Sequence, residues 1–352
     1  MERPGKIVSI GMMKNHIPIY QEHSFQSIPR NSELELSIDN HCDAPSRVLV
    51  IDWQSNCFVC PCEAWLPISV GPIESFDRLE DIWNSQVAKT LQNDIDEKKF
   101  TWCAVDRCGV KESSIEHGKF TISINIDESC NLSCPSCRKS QIMISHGEVF
   151  DAKLKQIRHL VRLLEKFSDP CHIVMSGNGD PLSSHVMRPL LQEFQPKATQ
   201  TFRLFTNGLL LKKQLEKSAI LPNITQYFIS VDAGSPDVYH DVRRPGKWET
   251  LMSNLDYLRS TVDRTGAEVL LKFVLQQANW HDIDNFIDLC QRYRFRGVIN
   301  RLEDWGTWSD FSQQDVIGNT RHPEHTHAIL ALKKSLSRES TEIMFNSSLR
   351  TI

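Results

Sequence analysis

Three thiols close together in one short segment are the first place in this chain where chemistry can be read. Ser129-Cys130-Asn131-Leu132-Ser133-Cys134-Pro135-Ser136-Cys137 offers Cys130, Cys134 and Cys137 together. Soft thiolates suit iron, and a cubane 4Fe–4S cluster normally takes four of them. A loop with three would leave one iron with an open coordination position. An open position marks a metal that does chemistry rather than one that staples a fold. Zinc completed by a distant fourth ligand is the alternative this loop leaves open.

Other candidate groups follow downstream. Met175-Ser176-Gly177-Asn178-Gly179-Asp180-Pro181-Leu182 has glycines that let backbone approach a ligand. Its acid, Asp180, could hold an ammonium by a charge-assisted hydrogen bond; a tight turn before a helix is the plainer reading. Phe205-Thr206-Asn207-Gly208 and Ser230-Val231-Asp232 come next, then the basic pair Arg243-Arg244 and the apolar run Gly297-Val298-Ile299-Asn300-Arg301-Leu302.

These groups need a scaffold, and the hydrophobic rhythm supplies one. Phe120 to Ile126 alternates as a strand. A helix is expected over about 151–167, with Leu154, Ile157, Leu160, Val161 and Leu164 on one side. Strands are then expected at 172–175, 201–205, 224–231, 268–275 and 297–302, with helices at 185–194, from about 212, at 249–262 and at 282–293. Six β/α alternations imply parallel strands covered by helices. In parallel β/α barrels the ligand site lies at the C-terminal ends of the strands. Apart from the Arg243-Arg244 pair, which lies further downstream, each candidate group above directly follows an expected strand or closes one.

A C-x-x-x-C-x-x-C loop after the first strand of such a series resembles the radical S-adenosylmethionine (SAM) superfamily, over about residues 118–305. The resemblance implies a partial (β/α)6 TIM-like barrel. It implies that the three cysteines hold a 4Fe–4S cluster whose fourth iron is chelated by the amine and carboxylate of SAM. Reductive cleavage of SAM would then give a 5′-deoxyadenosyl radical that abstracts hydrogen from a substrate. Carried onto this sequence, Gly177, Gly179 and Asp180 match the segment that binds the SAM amine, with aspartate for the usual glutamate. Asn207 matches a segment near the SAM ribose, and Ser230 and Asp232 an S-x-D segment. Arg243, rather than Arg244, would meet the SAM carboxylate, and Leu302 or Ile299 the adenine. The family usually has an aromatic residue before the third cysteine; this chain has Ser136.

The chain has eleven cysteines, nine of them before residue 140. In a cytosolic chain, clustered cysteines more often bind metal than pair as disulfides. Cys42, Cys57, Cys60, Cys62, Cys103 and Cys108 surround a short strand at 48–53 and a helix beginning Leu79-Glu80-Asp81-Ile82-Trp83. That order resembles a SPASM or twitch-type auxiliary-cluster module, placed before the barrel instead of after it. The resemblance implies Cys42, Cys60 or Cys62, Cys103 and Cys108 as ligands of a second 4Fe–4S cluster, with Cys57 and one of Cys60/Cys62 spare. Four thiolates also suit structural zinc. Cys171 and Cys290 stand in apolar patterns as core thiols.

Composition excludes little. The chain has 352 residues, 24% of them charged, with net charge −4, so no nucleic-acid or anionic-membrane binding is expected. No apolar run reaches about 18 residues, so no transmembrane helix is expected. The N-terminus lacks a secretory pattern, and a cytoplasmic location follows by default. The expected division is a cysteine-rich module at 1–115, a catalytic core at 116–309 and a helical cap or tail at 310–352. His322, His325 and His327 in that tail are expected to be solvated rather than metal-binding. The expected partners are a small-molecule or peptide substrate, with a side chain, sugar or alcohol attacked, and a reductant such as flavodoxin or ferredoxin. A non-catalytic zinc or iron–sulfur protein that senses redox state is the competing reading.

Overall fold

The computed structural model describes residues 42–60, 68–103, 119–336, 338 and 343–345. Cys62 and Cys108 lie outside the described residues. In chain order the elements are α1 (Ala44–Arg47), β1 (Val48–Ile51), β2 (Asn56–Phe58), β3 (Gly71–Pro72), α2 (Leu79–Trp83) and α3 (Gln86–Asp96). There follow β4 (Phe120–Ile124), α4 (Glu148–Lys166), β5 (Cys171–Met175), β6 (Gln200–Thr206), α5 (Leu211–Leu215), β7 (Ile224–Ser230), α6 (Pro236–Val242) and α7 (Trp248–Thr265). The series ends with β8 (Glu268–Leu275), α8 (Ile283–Tyr293), β9 (Arg296–Arg301), α9 (His325–Leu336) and β10 (Ile343–Phe345). The class is the expected one: α/β, with the six core strands β4–β9 separated by helical segments in a partial-barrel arrangement.

One expected element shrinks. The helix predicted over 185–194 is a single π-helical turn, Pro189–Glu193. Pro189 has no N–H to give to a preceding turn, so it starts a helix rather than continuing one.

The chain divides into two compact units. The first holds residues 1–128, 144–178 and 186–202. Its strands lie in the order β6-β5-β4-β1-β2-β3. β1 runs parallel to β4, in register from Val48 opposite Thr121 to Ile51 opposite Ile124. The cysteine-rich module therefore adds strands to the free edge of the first core strand, which removes an exposed ladder. β1 stops at Ile51 because the Asp52 carboxylate accepts from the N–H groups of Gln54 and Asn56, and so bends the chain back. Trp83 anchors this packing. Its indole N–H donates to the Val48 carbonyl at 2.9 Å. Its ring lies 4.6 Å from Phe120 and 5.6 Å from Phe167.

The second unit holds residues 129–143, 179–185 and 203–352. Its strands lie in the order β10-β9-β8-β7-β6. β7 with β8, β8 with β9 and β9 with β10 pair in parallel. The strands alternate over most of their length. One face carries Leu204, Tyr227, Ile229, Leu271, Phe273 and Ile299, all without exposure. That face meets the helices: Phe273 packs on Phe286 of α8 at 4.9 Å. Each such side chain stabilises the fold by about 1.5–3 kcal/mol. The opposite face carries Arg203, Phe205, Gln226, Phe228, Ser230, Lys272 and Asn300, all half-buried. A parallel sheet used only as core would be apolar on both faces. This one keeps a polar, partly open face.

The turn leaving β7 is packed without slack. Gly234 N–H donates to Asp282 Oδ2 at 2.6 Å, and Ser235 N–H joins it at 3.0 Å, which fixes the turn to the start of α8. A Cβ on Gly234 would lie 2.1 Å from the Phe286 backbone nitrogen. Backbone cannot yield as a side chain can. Gly234→Ala should therefore destabilise by about 1–3 kcal/mol, read as a lower urea midpoint. An unchanged midpoint would show that α8 moves freely against this turn.

Candidate functional site

The site lies within the second unit and is built on the three-cysteine loop. Cys130 N–H donates to the Ile142 carbonyl at 2.8 Å and Ser133 N–H to the Arg244 carbonyl at 2.6 Å, so the first half of the loop is held at two points. In its second half Cys137 N–H and Arg138 N–H both turn back to the Cys134 carbonyl, at 2.9 and 3.0 Å. Cys134 is buried, and Cys130 and Cys137 are half-buried.

Two guanidinium groups flank these thiols. Arg243 Nη1 lies 3.5 Å from Cys134 Sγ. Arg138 is 5% exposed, and sequence reading missed it because an arginine after a cysteine loop looks like surface. Burial opposes the charge of both arginines. The neighbouring cysteines outweigh this for Arg138, and Asp232 and Cys134 do so for Arg243, so both are held above the ordinary value. Burial, with the Asp180 charge nearby, pushes the Cys130 thiol up to about 12, and burial also raises Cys134. Without metal these are thiols; binding must displace their protons.

The strand-end groups gather beside the loop. Asp180 N–H donates to the Ser129 carbonyl at 2.8 Å. The Asp180 side chain, expected to reach an ammonium, is instead turned inward and 3% exposed. Its Oδ1 accepts from Leu182 N–H at 2.9 Å. Its Oδ2 accepts from the Thr206 hydroxyl at 2.8 Å and Asn207 N–H at 2.6 Å. The carboxylate thus ties two strand ends together. Asp180→Asn would set an amide N–H₂ against the Asn207 N–H donor. A stability loss of about 1–3 kcal/mol should follow, measured by thermal unfolding. A variant as stable as the parent would mean that the Asp180 carboxylate is already protonated.

Asn207 is 5% exposed. Its amide donates to Asn131 Oδ1 at 2.8 Å and lies 3.9 Å from Cys130 Sγ, so it touches the cysteine loop. Asp232 follows Ser230 in the left-handed region at φ 57°. Asp232 Oδ1 accepts from Val274 N–H at 2.8 Å, and Oδ2 lies 3.1 Å from Arg243 Nε. Arg243 is therefore already paired, where a free guanidinium was expected. Arg244 is exposed. Ser230 ends β7 on the half-buried face, in register with Lys272.

Leu302 is 3% exposed just past β9. Ile299 cannot meet a ligand on the half-buried face: it pairs in register with Phe273 and shares that residue's helix-covered side. Gly179 lies with Asp180 in this unit. Gly177 belongs to the first unit, at φ 136°, a conformation glycine adopts freely.

The donor set fits a sulfur-rich anionic cluster. Three thiols lie on one loop, Arg138 and Arg243 offset the charge of three thiolates, and the Asn207 amide stands at Cys130. Among the described residues, no three His, Cys, Asp or Glu side chains converge as the ligands of one ion would. The corners of a multi-iron cluster need no such convergence.

Comparison with known proteins agrees. Residues 124–290 match the radical SAM superfamily, and residues 42–109 match SPASM, described as an iron-sulfur cluster-binding domain. The chain carries a radical SAM domain. Its SPASM domain precedes the radical SAM domain, as the cysteine order implied. Among curated relatives, the S-adenosyl-L-methionine-dependent tRNA 4-demethylwyosine synthases of Pyrococcus abyssi (strain GE5 / Orsay) and Pyrococcus horikoshii are each 27% identical over 135 residues. That stretch is 37% of this chain and 38% of either relative, so the chain spans well under half the length of the relatives it matches. Among solved structures, Streptococcus suis SuiB bound to S-adenosylmethionine is 12% identical with a TM-score of 0.40, covering 80% of this chain and 64% of that one. A radical SAM methyltransferase from Sphaerobacter thermophilus is 15% identical with a TM-score of 0.38, covering 66% and 67%.

The radical SAM enzyme's other cysteines sort by environment. In the first unit Cys42, 6% exposed, shares a small buried cluster with Ala44, Ile95 and Phe100, and Cys103 packs against it. Two of the expected auxiliary ligands are thus neighbours. Cys60 is half-buried, while Cys57 is fully buried on β2 as an inert thiol. Cys171 and Cys290 are buried core thiols, as expected. In the tail, the His322 ring accepts from Glu324 N–H and contacts the Gln313 carbonyl, and the His325 ring contacts the Val316 carbonyl. Their nitrogens hold backbone. No helix among the described residues is long and apolar enough to cross a membrane.

Proposed function

We propose that this radical SAM enzyme cleaves SAM reductively and uses the resulting radical to abstract hydrogen from a peptide or protein side chain, or from a sugar or alcohol. The observation that carries the reading is the meeting, in one unit, of the three-cysteine loop with its two guanidiniums and the strand-end groups Asn207, Asp232 and Ser230. A bound 4Fe–4S cluster would supply one electron to SAM and an iron that takes its amine and carboxylate. Cys130, Cys134 and Cys137 would hold that cluster. Arg138 and Arg243 would offset its negative charge. Asp180 acts as a positioning residue, fixing Thr206 and Asn207 relative to the loop. Ser230 and backbone at Gly179 would meet polar groups of SAM, and the half-buried sheet face would receive the substrate.

In the SPASM domain, Cys42, Cys103, one of Cys60 and Cys62, and Cys108 would hold an auxiliary 4Fe–4S cluster, with zinc as the other occupant these thiolates suit. A reductant such as flavodoxin or ferredoxin would deliver the electron. The non-catalytic reading accounts for the cysteines but leaves Asn207, Asp232 and Ser230 at successive strand ends unexplained.

The test is anaerobic reconstitution with iron and sulfide, then dithionite and SAM. The expected product is 5′-deoxyadenosine. A colourless protein that keeps stoichiometric zinc and gives no product would establish the non-catalytic reading instead.

A further inference from the structure

The half-buried face of the second unit contains a cation that the cofactor-binding groups do not use. Lys272 lies on β8, in register with Ser230 on one side and Val298 on the other. Its ammonium sits 5.5 Å from the centre of the Phe205 ring. Phe205 in turn stacks on Phe228, with centroids 4.5 Å apart and planes within 20°. Beyond the stack, Arg203 covers Phe228 at 5.5 Å and donates to Gln226 Oε1 at 2.6 Å, which closes that end. The result is an aromatic floor with one ammonium standing on it.

The position of Lys272 separates it from the cluster-facing layer. Asp232, Arg243 and Cys134 form a connected group at the strand ends, where Asp232 is anchored to Val274 N–H. Lys272 lies two residues back along the same strand, one layer deeper on the face. Among the described residues its ammonium makes no hydrogen bond and no ion pair. Asp232 and Glu303 favour its charge from a distance, yet burial lowers its proton affinity below the ordinary lysine value. Cation–π contact with Phe205 offsets part of such desolvation. The ammonium is not among the fully enclosed orphan atoms, so its three N–H donors face the open side of this half-buried surface.

We propose that Lys272 holds an oxyanion of the substrate, a carboxylate or a phosphate, with the Phe205–Phe228 pair beneath it. The assignment rests on the radical SAM reading of this site and gives the substrate a negatively charged group. The aromatic pair packs the apolar part next to that group, and Ser230 offers a neighbouring hydroxyl. The net charge of the whole chain, −4, speaks against a generally cationic surface, so the recognition is local to this lysine.

The test uses the anaerobically reconstituted holoenzyme, with inorganic phosphate and acetate as probes. An amine-reactive succinimidyl ester labels lysines, and peptide mass spectrometry quantifies Lys272 against the exposed Lys213. Phosphate or acetate should slow labelling of Lys272 saturably and leave Lys213 unaffected; the more effective anion names the group. By calorimetry, Lys272→Met should weaken binding of that anion about tenfold or more (about 1.4 kcal/mol), and Lys272→Arg should retain most of it. Two results would overturn the proposal: neither anion protects Lys272 in the wild-type enzyme, or the anion competes with SAM, which would place the lysine in the cofactor's own site. The protection experiment needs no variant, so a misfolded Lys272→Met does not blunt it. Failure of 5′-deoxyadenosine formation by wild-type enzyme would count against the catalytic reading alone.

Discussion

Cys134→Ala should strip the three-cysteine loop of its cluster and reduce 5′-deoxyadenosine formation to the level of a protein-free control. Cys134 is the middle thiol, 4% exposed, and the one that Arg243 touches. Two remaining thiols cannot hold three corners of a cubane, and no other cysteine in the second unit's described residues apart from the core thiol Cys290 is available. The side chain removed is small, so the fold should persist, with a circular dichroism spectrum like the parent's. Iron analysis extends the test. With a cubane in each domain the parent should bind about eight irons and the variant about four. With zinc in the SPASM domain the values should be about four and none. Cys290→Ala, at a buried thiol on α8, is the control and should keep full iron. A Cys134→Ala enzyme that still formed 5′-deoxyadenosine at the parent rate would remove the loop from the chemistry altogether.

Arg243→Leu should be the most destabilising substitution near the site, by about 3–5 kcal/mol. Asp232 is 2% exposed, and Arg243 is its ion-pair partner at 3.1 Å. Removing the guanidinium leaves a buried carboxylate held by the Val274 N–H, with Lys272 a more distant cation. Leucine fills much of the volume, so the loss reports electrostatics rather than a cavity. A double-mutant cycle isolates it: Arg243→Leu with Asp232→Asn should recover part of the loss, because no buried charge remains. The same substitution takes a cation from Cys134, so the cluster should be lost faster under a chelator. Equal stability for Arg243→Leu and the parent in urea would show that the pair is solvated in solution and that its burial contributes nothing.

The cysteine loop was legible because its residues are close in sequence and stand out by type and spacing. So was the β/α rhythm, since alternation in β6 and β7 and the 3.6-residue period in α7 and α8 are local patterns. The roles of Asp180 and Arg243 were not legible. Sequence reading looked only toward SAM, and the protein partners each has lie far along the chain: Thr206 and Asn207 for Asp180, and Asp232 for Arg243. Ile299 was a candidate for adenine until strand register placed it on the helix side with Phe273. A one-residue difference in register reverses a side chain's face, and no single strand's pattern fixes that. Arg138 and Lys272 gave no signal because charged residues are usually solvated, and only the folded sheet shows which of them are not.

The amino-acid sequence by itself determined the family, the fold class, the order of the two domains and the identity of the three loop cysteines, all of which depend on short-range spacing. Tertiary structure decided that the SPASM strand β1 extends the sheet beside β4, which acid holds strands and which arginine meets sulfur, and that one lysine stands over an aromatic floor without an ion-pair partner among the described residues. The physical reason is that burial and pairing are properties of where distant segments meet. A charged side chain's function depends on the partner that reaches it, and that partner is set by packing.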